Sequence, residues 1–588
     1  MVVETEQAQK DNLYAMRHSA AHVMAEAVLK LFPEGKLGIG PPIENGFYYD
    51  FELPRPLSPD ELGGIEDLMR QREASASPFE YRVVSADEAR ALFRDQPFKL
   101  ELIDELAARG EEISVYHHGD FTDLCRGPHV HDTSELGAFK LMSVAGAYWR
   151  GSEHNPMLQR VYGALFPTQE ELDAHLEQLE EAKRRDHRRL GKDLGLFIFS
   201  EDVGSGIPLF LPRGEMLRHV MEEYVRDTQT RYGYQHVWTG HVVKEELYRR
   251  SGHLEHYRDA MFPPMVDGDD VYRLKPMNCP SHMTLYKAEL HSYRDLPLRY
   301  AEFATLYRYE KSGELNGLTR VRALTQDDCH IFCTPDQIGE EFGRCLDLIT
   351  EVLDAYGFND YRVDLSLPDL SDTAKYADAP ETWALAERAL REAMDAKGVQ
   401  YTPVVGEAAF YGPKADFMAR DVLGRQWQLS TIQVDMIQPA RLGIEYIAED
   451  GERHTPVVLH RAVTGSTERF MGVIIEHFAG AFPVWLAPVQ AVVLPIADRH
   501  ADYARRVQKV LADAGLRVEV DVRRERLQAK IRDAQMRKVP YMLVVGDRDA
   551  AGEAASVRKR TGEDIGALPL HEIREMLLER VETKSLSL

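Results

Sequence analysis

Apolar residues recur along Asp11–Leu31 at Leu13, Met16, Ala20, Val23, Ala27 and Leu31, the three-and-four spacing of a helix with one buried face. Past that helix come Gly and Pro punctuation at Gly38–Pro42, an aromatic run Phe47-Tyr48-Tyr49, and a mixed α/β stretch to about Phe166. Gln169–Gly191 is densely charged at helical spacing, with no Gly or Pro before Gly191, which predicts a solvated linker helix. Its C-terminal half is basic through Lys183, Arg184, Arg185, Arg188 and Arg189. From about Asp193 to Phe482, long amphipathic helices alternate with strands in no regular βαβ rhythm, so an antiparallel α+β domain is expected. Beyond Pro488 the rhythm changes. AVVLPI, a helix Ala501–Ala514, LRVEVDV, a helix Leu527–Met536, YMLVVG and a final helix predict a small α/β domain with a mostly parallel sheet.

Composition narrows the setting. At roughly 150 residues per domain, 588 residues suggest about four segments, placed at 1–168, 169–192, 193–486 and 487–588. Hydrophobic residues make up 44% and charged ones 28%, which excludes a mostly disordered or collagen-like chain. The net charge of −25 excludes a general basic field, so any polyanion must be met by local patches. The longest apolar stretches, such as Pro483–Ile496, are interrupted and too short to span a bilayer, and the polar start MVVETEQAQKDN has no secretory h-region. Five scattered cysteines make no disulfide framework. A reducing cytoplasm is the expected location, with no membrane partner.

Two strands, Arg299–Glu310 and Arg320–Phe332, are expected around the polar loop SGELNGLT. Alternation on the second puts Arg320, Arg322, Leu324, Gln326, Asp328 and His330 on one face and Val321, Ala323, Thr325, Asp327, Cys329 and Ile331 on the other. Arg308 and Glu310 share a face of the first. A face of arginines, an aspartate and a histidine is too polar for a core. A second constellation lies near the start: His18 and His22 stand one helical turn apart, and Cys125 and His129 repeat the spacing. By spacing alone these four are a plausible zinc quartet, but the HExxH glutamate of a zinc protease is missing.

The central motifs carry a family resemblance. KPMNCPSH (Lys275–His282), RYE (Arg308–Glu310), TQDDCHIF (Thr325–Phe332), FYGPK (Phe410–Lys414), WQLSTIQVD (Trp427–Asp435), VLHRAVTGSTERF (Val458–Phe470) and FPVWLAPVQ (Phe482–Gln490) resemble the threonyl-tRNA synthetase family of class II aminoacyl-tRNA synthetases, over nearly the whole chain. The resemblance implies an α+β multidomain protein. Its parts are an N-terminal α+β editing domain (1–168), a linker helix (169–192), an antiparallel-sheet class II catalytic core (193–486) and a C-terminal α/β anticodon-binding domain (487–588). The implied activity is ATP-dependent threonine–tRNA ligation by a homodimer, with tRNA(Thr), ATP and L-threonine as partners and Mg2+ accompanying ATP.

Residue roles follow from the same resemblance. Arg308 takes the α-phosphate, Arg320 and Arg469 hold the β- and γ-phosphates, Glu310 accepts from the adenine amino group, and Leu324 and Gln428 complete the ATP site. Fixed guanidinium groups suit a phosphate that gains charge under attack. Ser466 caps the helix carrying Arg469. Gln326, Asp328, Tyr411 and Gln433 line the threonine pocket, and His253 stands as a base for transfer. Cys279, His330 and His460 match the family's zinc ligands, three N/S donors that leave a fourth position open for substrate. Cys329 and Cys333 read as packing residues. His18, His22, Lys99, Asp123, Cys125 and His129 match the editing site, where water hydrolyses mischarged seryl-tRNA.

Three departures from the family stand out. With His18 so near the start, no ubiquitin-like domain is expected ahead of the editing domain. Trp238-Thr239-Gly240-His241 has glycine where motif 1 has proline, so a looser strand at the dimer interface is expected. Leu324 replaces a phenylalanine that stacks on adenine. Arg558, Lys559 and Arg560 form a basic cluster in the last domain. A class II synthetase for another amino acid would have no need of Cys279, His330 and His460. A non-catalytic tRNA- or mRNA-binding paralogue would be expected to lose Arg308 or Arg469.

Overall fold

The computed structural model describes residues 2–152, 154–372 and 375–588. They form two compact units, 1–180 and 181–588. Among the described residues no helix is long and apolar enough to cross a membrane.

In the first unit the helix runs Val2–Leu31, longer than its apolar spacing predicts. Met16, Ala20, Val23, Met24, Ala27 and Val28 pack on Phe47, Tyr49, Phe51, Val161 and Leu165 of an antiparallel sheet. Leu31, expected in the stripe, is exposed, because the helix ends there. That sheet runs Lys36–Leu37, Gly46–Glu52, Met157–Phe166, Ala138–Tyr148. A smaller sheet of Glu80–Val83, Ser114–His118 and Phe121–Leu124 presents Asp123 and, just beyond its end, Cys125.

The linker departs from expectation. It is two helices, Gln169–Arg185 and His187–Asp193, because the Asp186 carboxylate accepts from Arg188 N at 2.8 Å and caps a new start.

The second unit is built on an eight-stranded sheet ordered Gln235–His236, Leu298–Tyr307, Ala323–Cys333, Val457–Ala462, Gln426–Asp435, Lys414–Arg420, Tyr361–Leu367, Tyr401–Val405. Its inner pairings are antiparallel and its two end pairings parallel. Helices Pro212–Arg231, Ile338–Ala355 and Thr467–His477 cover one face, burying Val225, Leu348, Ile349 and Ile474 against Cys329, Ile331 and Leu459. The two central strands are shorter than predicted, Leu298–Tyr307 and Ala323–Cys333. Arg308, Glu310, Arg320 and Arg322 therefore belong to the loop between them, not to strand faces.

The C-terminal sheet is ordered Val518–Val520, Ala491–Pro495, Tyr541–Val545, Ala554–Lys559, Asp564–Pro569. The first two pairings are parallel and the last two, Tyr541–Val545 with Ala554–Lys559 and Ala554–Lys559 with Asp564–Pro569, are antiparallel, which corrects the mostly parallel expectation. Its basic cluster also separates: Arg558 pairs with Asp564, Lys559 with Glu563, and Arg560 donates to the carbonyls of Ala481 and Phe482.

Candidate functional site

Strand register brings the central donors together. Gln433, His460 and His330 stand opposite one another on three adjacent strands, with Tyr300 next in the row. Cys279 begins the helix Cys279–Tyr286 beside them. Cys279, His330 and His460 are all buried, and their ligand atoms lie within 4.8 Å of one another. His330 Nε2 is buried without a hydrogen-bond partner. The other ring nitrogens are held from behind: His460 Nε2 lies 2.9 Å from Asp435 Oδ2, and His330 Nδ1 lies 2.8 Å from His282 Nδ1. A carboxylate or histidine behind each imidazole, with one nitrogen left bare, is the arrangement of a metal site with its outer partners in place. The donor set of one sulfur and two nitrogens fits zinc.

A polar network extends behind His282. Glu302 Oε2 is 3.1 Å from His282 Nε2 and accepts from Asn278 Nδ2 at 2.8 Å and Thr239 Oγ1 at 2.9 Å, while Lys275 Nζ stands 3.6 Å from Glu302 Oε1. Burial alone would raise the Glu302 pKa. Hydrogen bonds from His282, Asn278 and the Thr239 backbone, and then Lys275, overcome it and hold the carboxyl at about 2. Both sides of Gly240 are thereby tied, since Thr239 bonds to Glu302 and Lys275 N donates to His241 O at 3.0 Å. The looseness expected there is absent from the bonding pattern.

The cavity in front of the three donors measures about 360 Å³ and includes Arg308, Gln326, Asp328, Tyr411 and Gln433. Tyr411 stacks on His460 with ring centroids 4.7 Å apart and donates from its hydroxyl to Gln433 Oε1 at 2.6 Å. Burial raises the Asp328 carboxyl. His253 does not line this cavity. It is fully buried, with Nδ1 2.8 Å from Ser251 Oγ and Nε2 3.3 Å from Cys279 Sγ, and burial followed by His460 lowers its pKa to about 3. The position expected for a transfer base thus lies behind the cysteine, because the turn at Gly252 aims the ring inward. Cys329 faces the opposite side of its strand and meets Arg461 Nη2 at 2.7 Å; Cys333 packs in the core.

A second cavity of about 470 Å³ adjoins through Arg308, which lines both. It contains Glu310, Arg320, Leu324, Trp427, Ser466 and Arg469. Arg320 Nε donates to Glu310 at 2.9 Å, and Ser466 Oγ accepts from Arg469 N at 3.2 Å as the cap of Thr467–His477. Burial, then Arg320, lowers the Arg469 pKa. Leu324 packs with Ala304, Leu306 and Val321. Gln428 is not in this wall; its amide donates to Asp416 at 2.7 Å.

The first unit holds its own cavity of about 420 Å³, lined by His18, His22, Lys99, Asp123 and Cys125. His129 stands behind, with Nε2 3.2 Å from Cys125 Sγ and Nδ1 2.9 Å from Ser19 Oγ. Lys99 Nζ lies 2.6 Å from Asp123, which also accepts from the buried Tyr49 hydroxyl at 2.5 Å. The four His and Cys donors fall within 4.8 Å. Burial pushes the Cys125 thiol up to about 12 and His129 down to about 2, so both are neutral and the thiol is no nucleophile.

Sequence reasoning passed over Tyr49, His282, Glu302 and Asp435. The aromatic run and the ends of the quoted motifs held all but Glu302, whose only signal is a lone carboxylate within an apolar strand.

Residues 264–478 match the tRNA synthetase class II core domain (G, H, P, S and T). Residues 490–580 match an anticodon binding domain, and 113–162 the threonyl and alanyl tRNA synthetase second additional domain. A threonine–tRNA ligase of Rubrobacter xylanophilus is 65% identical over 94% of this chain and 86% of that protein. One from Thermus thermophilus is 52% identical over 96% of this chain and 89% of that protein. Among solved structures, the RNA binding domain of threonyl-tRNA synthetase from Cryptosporidium parvum superposes with a TM-score of 0.64 at 37% identity, covering 68% of this chain and 99% of that one.

Proposed function

Because this chain belongs to the threonine–tRNA ligase family of class II aminoacyl-tRNA synthetases, we propose that it joins threonine to tRNA(Thr) in two steps. The threonine carboxylate attacks the α-phosphate of ATP, giving threonyl-adenylate and pyrophosphate, and the threonyl group then passes to the tRNA. The observation that carries this reading is Arg308, shared by a cavity with convergent Cys and His donors and a cavity gathering Arg320 and Arg469. At that junction its guanidinium is available to the α-phosphate as charge builds there. Arg320 and Arg469 hold the outer phosphates, accompanied by Mg2+; Glu310 accepts from the adenine amino group.

Cys279, His330 and His460 would hold one zinc ion, which when bound supplies a Lewis acid with an open position for the amine and hydroxyl of threonine. Gln326, Asp328, Tyr411 and Gln433 orient the amino acid. Positioning and phosphate-charge stabilisation supply most of the catalysis, with no covalent enzyme intermediate. His253 supports Cys279 in this reading.

In the N-terminal unit, we assign hydrolysis of mischarged seryl-tRNA(Thr) to His18, His22, Lys99, Asp123, Cys125 and His129, acting on water with Tyr49 orienting Asp123. Residues 1–168 are then the editing domain, 169–192 a linker, 193–486 the catalytic domain and 487–588 the anticodon-binding domain of a cytoplasmic homodimer. Threonine-dependent ATP–pyrophosphate exchange tests the central claim. Exchange supported by proline or serine in preference to threonine, or none at all, would refute it.

A further inference from the structure

The second cavity is walled by two segments that carry its arginines. One is the loop between the central strands, which brings Asn316, Thr319 and Arg320 to the cavity. The other is the helix Thr467–His477, whose first turn carries Arg469. The two pack directly where Leu318 and Thr319 meet Gly472, and an imidazole from a third segment is hydrogen-bonded to both. His187 begins the helix His187–Asp193 and is only 3% exposed. Its backbone N donates to Glu476 Oε1 at 3.0 Å and its ring Nδ1 lies 2.6 Å from the same oxygen. Glu476 stands in the last turn of the Arg469 helix. On the other side of the ring, Nε2 accepts from the backbone N of Leu318 at 3.0 Å.

Nδ1 must donate to a carboxylate and Nε2 must accept from an amide, so both ring nitrogens are used. That leaves no free ligand atom, and the cluster Asp186, His187 and Glu476, though close enough to hold a cation, has none to spare on its histidine. The loop is also shaped around the ring. Gly317 has a φ of +49°, and a Cβ there would stand 2.1 Å from His187 Nε2. The contact reaches a third wall as well. Glu476 Oε2 pairs with Arg425 at 2.6 Å, Arg425 pairs with Asp421 at 2.6 Å, and Asp421 accepts from Trp427 Nε1 at 2.9 Å. Trp427 lines the same cavity.

We propose that His187 is a positioning residue for the nucleotide site, fixing the loop that carries Arg320 against the helix that carries Arg469. A packing residue of the same volume would fill the space but leave Leu318 N without its acceptor and take one hydrogen bond from Glu476, which keeps the His187 backbone N and Arg425. Two phosphate-binding arginines on separate segments need a set separation to meet one polyphosphate, and a displacement of an ångström is costly in such a site. The assignment rests on the reading of this cavity as the ATP site.

Asparagine and glutamine split the two contacts. Asn places its amide near the position of Nδ1 and keeps Glu476; Gln places its carbonyl near that of Nε2 and keeps Leu318. ATP–pyrophosphate exchange is measured for the wild type, H187N and H187Q at varied ATP and varied threonine. H187N is expected to raise the Michaelis constant for ATP roughly five- to tenfold, the equivalent of one buried hydrogen bond left unmade. H187Q should remain within about twofold of wild type, and the constant for threonine should hold in both, because the loop bond is kept in the one and the threonine cavity untouched in either. Equal ATP shifts in the two variants, no shift in either, loss of exchange in both, or a threonine constant that moves as far as that for ATP would overturn the clamp. A wild type without threonine-dependent exchange would overturn the reading of the cavity, and the clamp's assignment with it.

Discussion

His282 Nδ1 lies 2.8 Å from His330 Nδ1, and that contact decides which nitrogen of His330 faces the cavity. In the tautomer that lets Glu302 accept from His282 Nε2–H, with Asn278 Nδ2 donating to the same carboxylate, His282 Nδ1 accepts from His330 Nδ1–H and His330 Nε2 keeps its lone pair forward. Asp435 does the same service for His460. Outer partners of this kind typically change metal affinity ~10–100-fold when removed. H282A and D435N should each weaken zinc by that order, read by competition with a chelator of known affinity and by metal content after dialysis. C279S should lose the ion outright. Wild-type affinity in H282A would mean the tautomer is set elsewhere.

Glu302 also gives the stability of the second unit a pH dependence of known sign. Its folded pKa of about 2 lies below the ordinary 4.5. A carboxyl whose pKa is depressed by folding contributes stability that is full above its unfolded value and is lost as pH falls through the folded one. The gap in thermal midpoint between wild type and E302Q should therefore be constant from neutral pH to about 5 and narrow as pH falls further toward about 2. A gap that widens in acid would show that the carboxylate is not the stabilised form.

Leu324 gives the second cavity, which we read as the ATP site, an aliphatic surface. An aromatic contact beyond area burial contributes ~0.5–1.5 kcal/mol, about threefold to tenfold in affinity. L324F should lower the Michaelis constant for ATP by that factor in exchange assays. No change, or a rise, would mean that Trp427 or another side chain already supplies the stacking surface.

The parts of this protein that were legible in its sequence are those that depend on local period. Alternation placed His330 and Cys329 on opposite faces of one strand, and the structure has them there, with Cys329 against Arg461 and His330 toward the cavity. The helix Leu527–Met536 was marked by apolar spacing alone. What was not legible depends on pairing between distant segments. Nothing near Glu302 announces that register will set it opposite Asp328 and beneath His282. Asp186 looked like one more charge in a charged run, yet its carboxylate caps a new helix and places His187. The family resemblance pointed to His253 without revealing its access, since the ring turns behind Cys279. The C-terminal sheet read as mostly parallel because the strands Ala554–Lys559 and Asp564–Pro569, which pair antiparallel, were not recognised between YMLVVG and the last helix.

The last prediction follows from what metal coordination cannot distinguish. Serine has the same amine and hydroxyl as threonine and lacks one methyl, a difference worth ~1–3 kcal/mol, or only about 10–200-fold in discrimination. A second site is needed to remove the error, and the cavity in the first unit has the chemistry for it. Its imidazoles are held neutral by burial, its thiol is not ionised, and Lys99 and Asp123 line it as an ion pair, with the buried Tyr49 hydroxyl bonded to Asp123 behind. Neutral imidazoles can accept a hydrogen bond from a water and orient it for attack, and a positioned group of this kind contributes ~10²–10⁴-fold in typical acid–base catalysis. H18A with H22A should therefore slow deacylation of preformed seryl-tRNA(Thr) by about 10² or more while leaving threonine-dependent ATP–pyrophosphate exchange unaltered. Y49F should act in the same direction and more weakly, because Asp123 keeps its bond to Lys99. Deacylation at the wild-type rate in the double variant would remove this cavity from proofreading, whatever its likeness to a known domain.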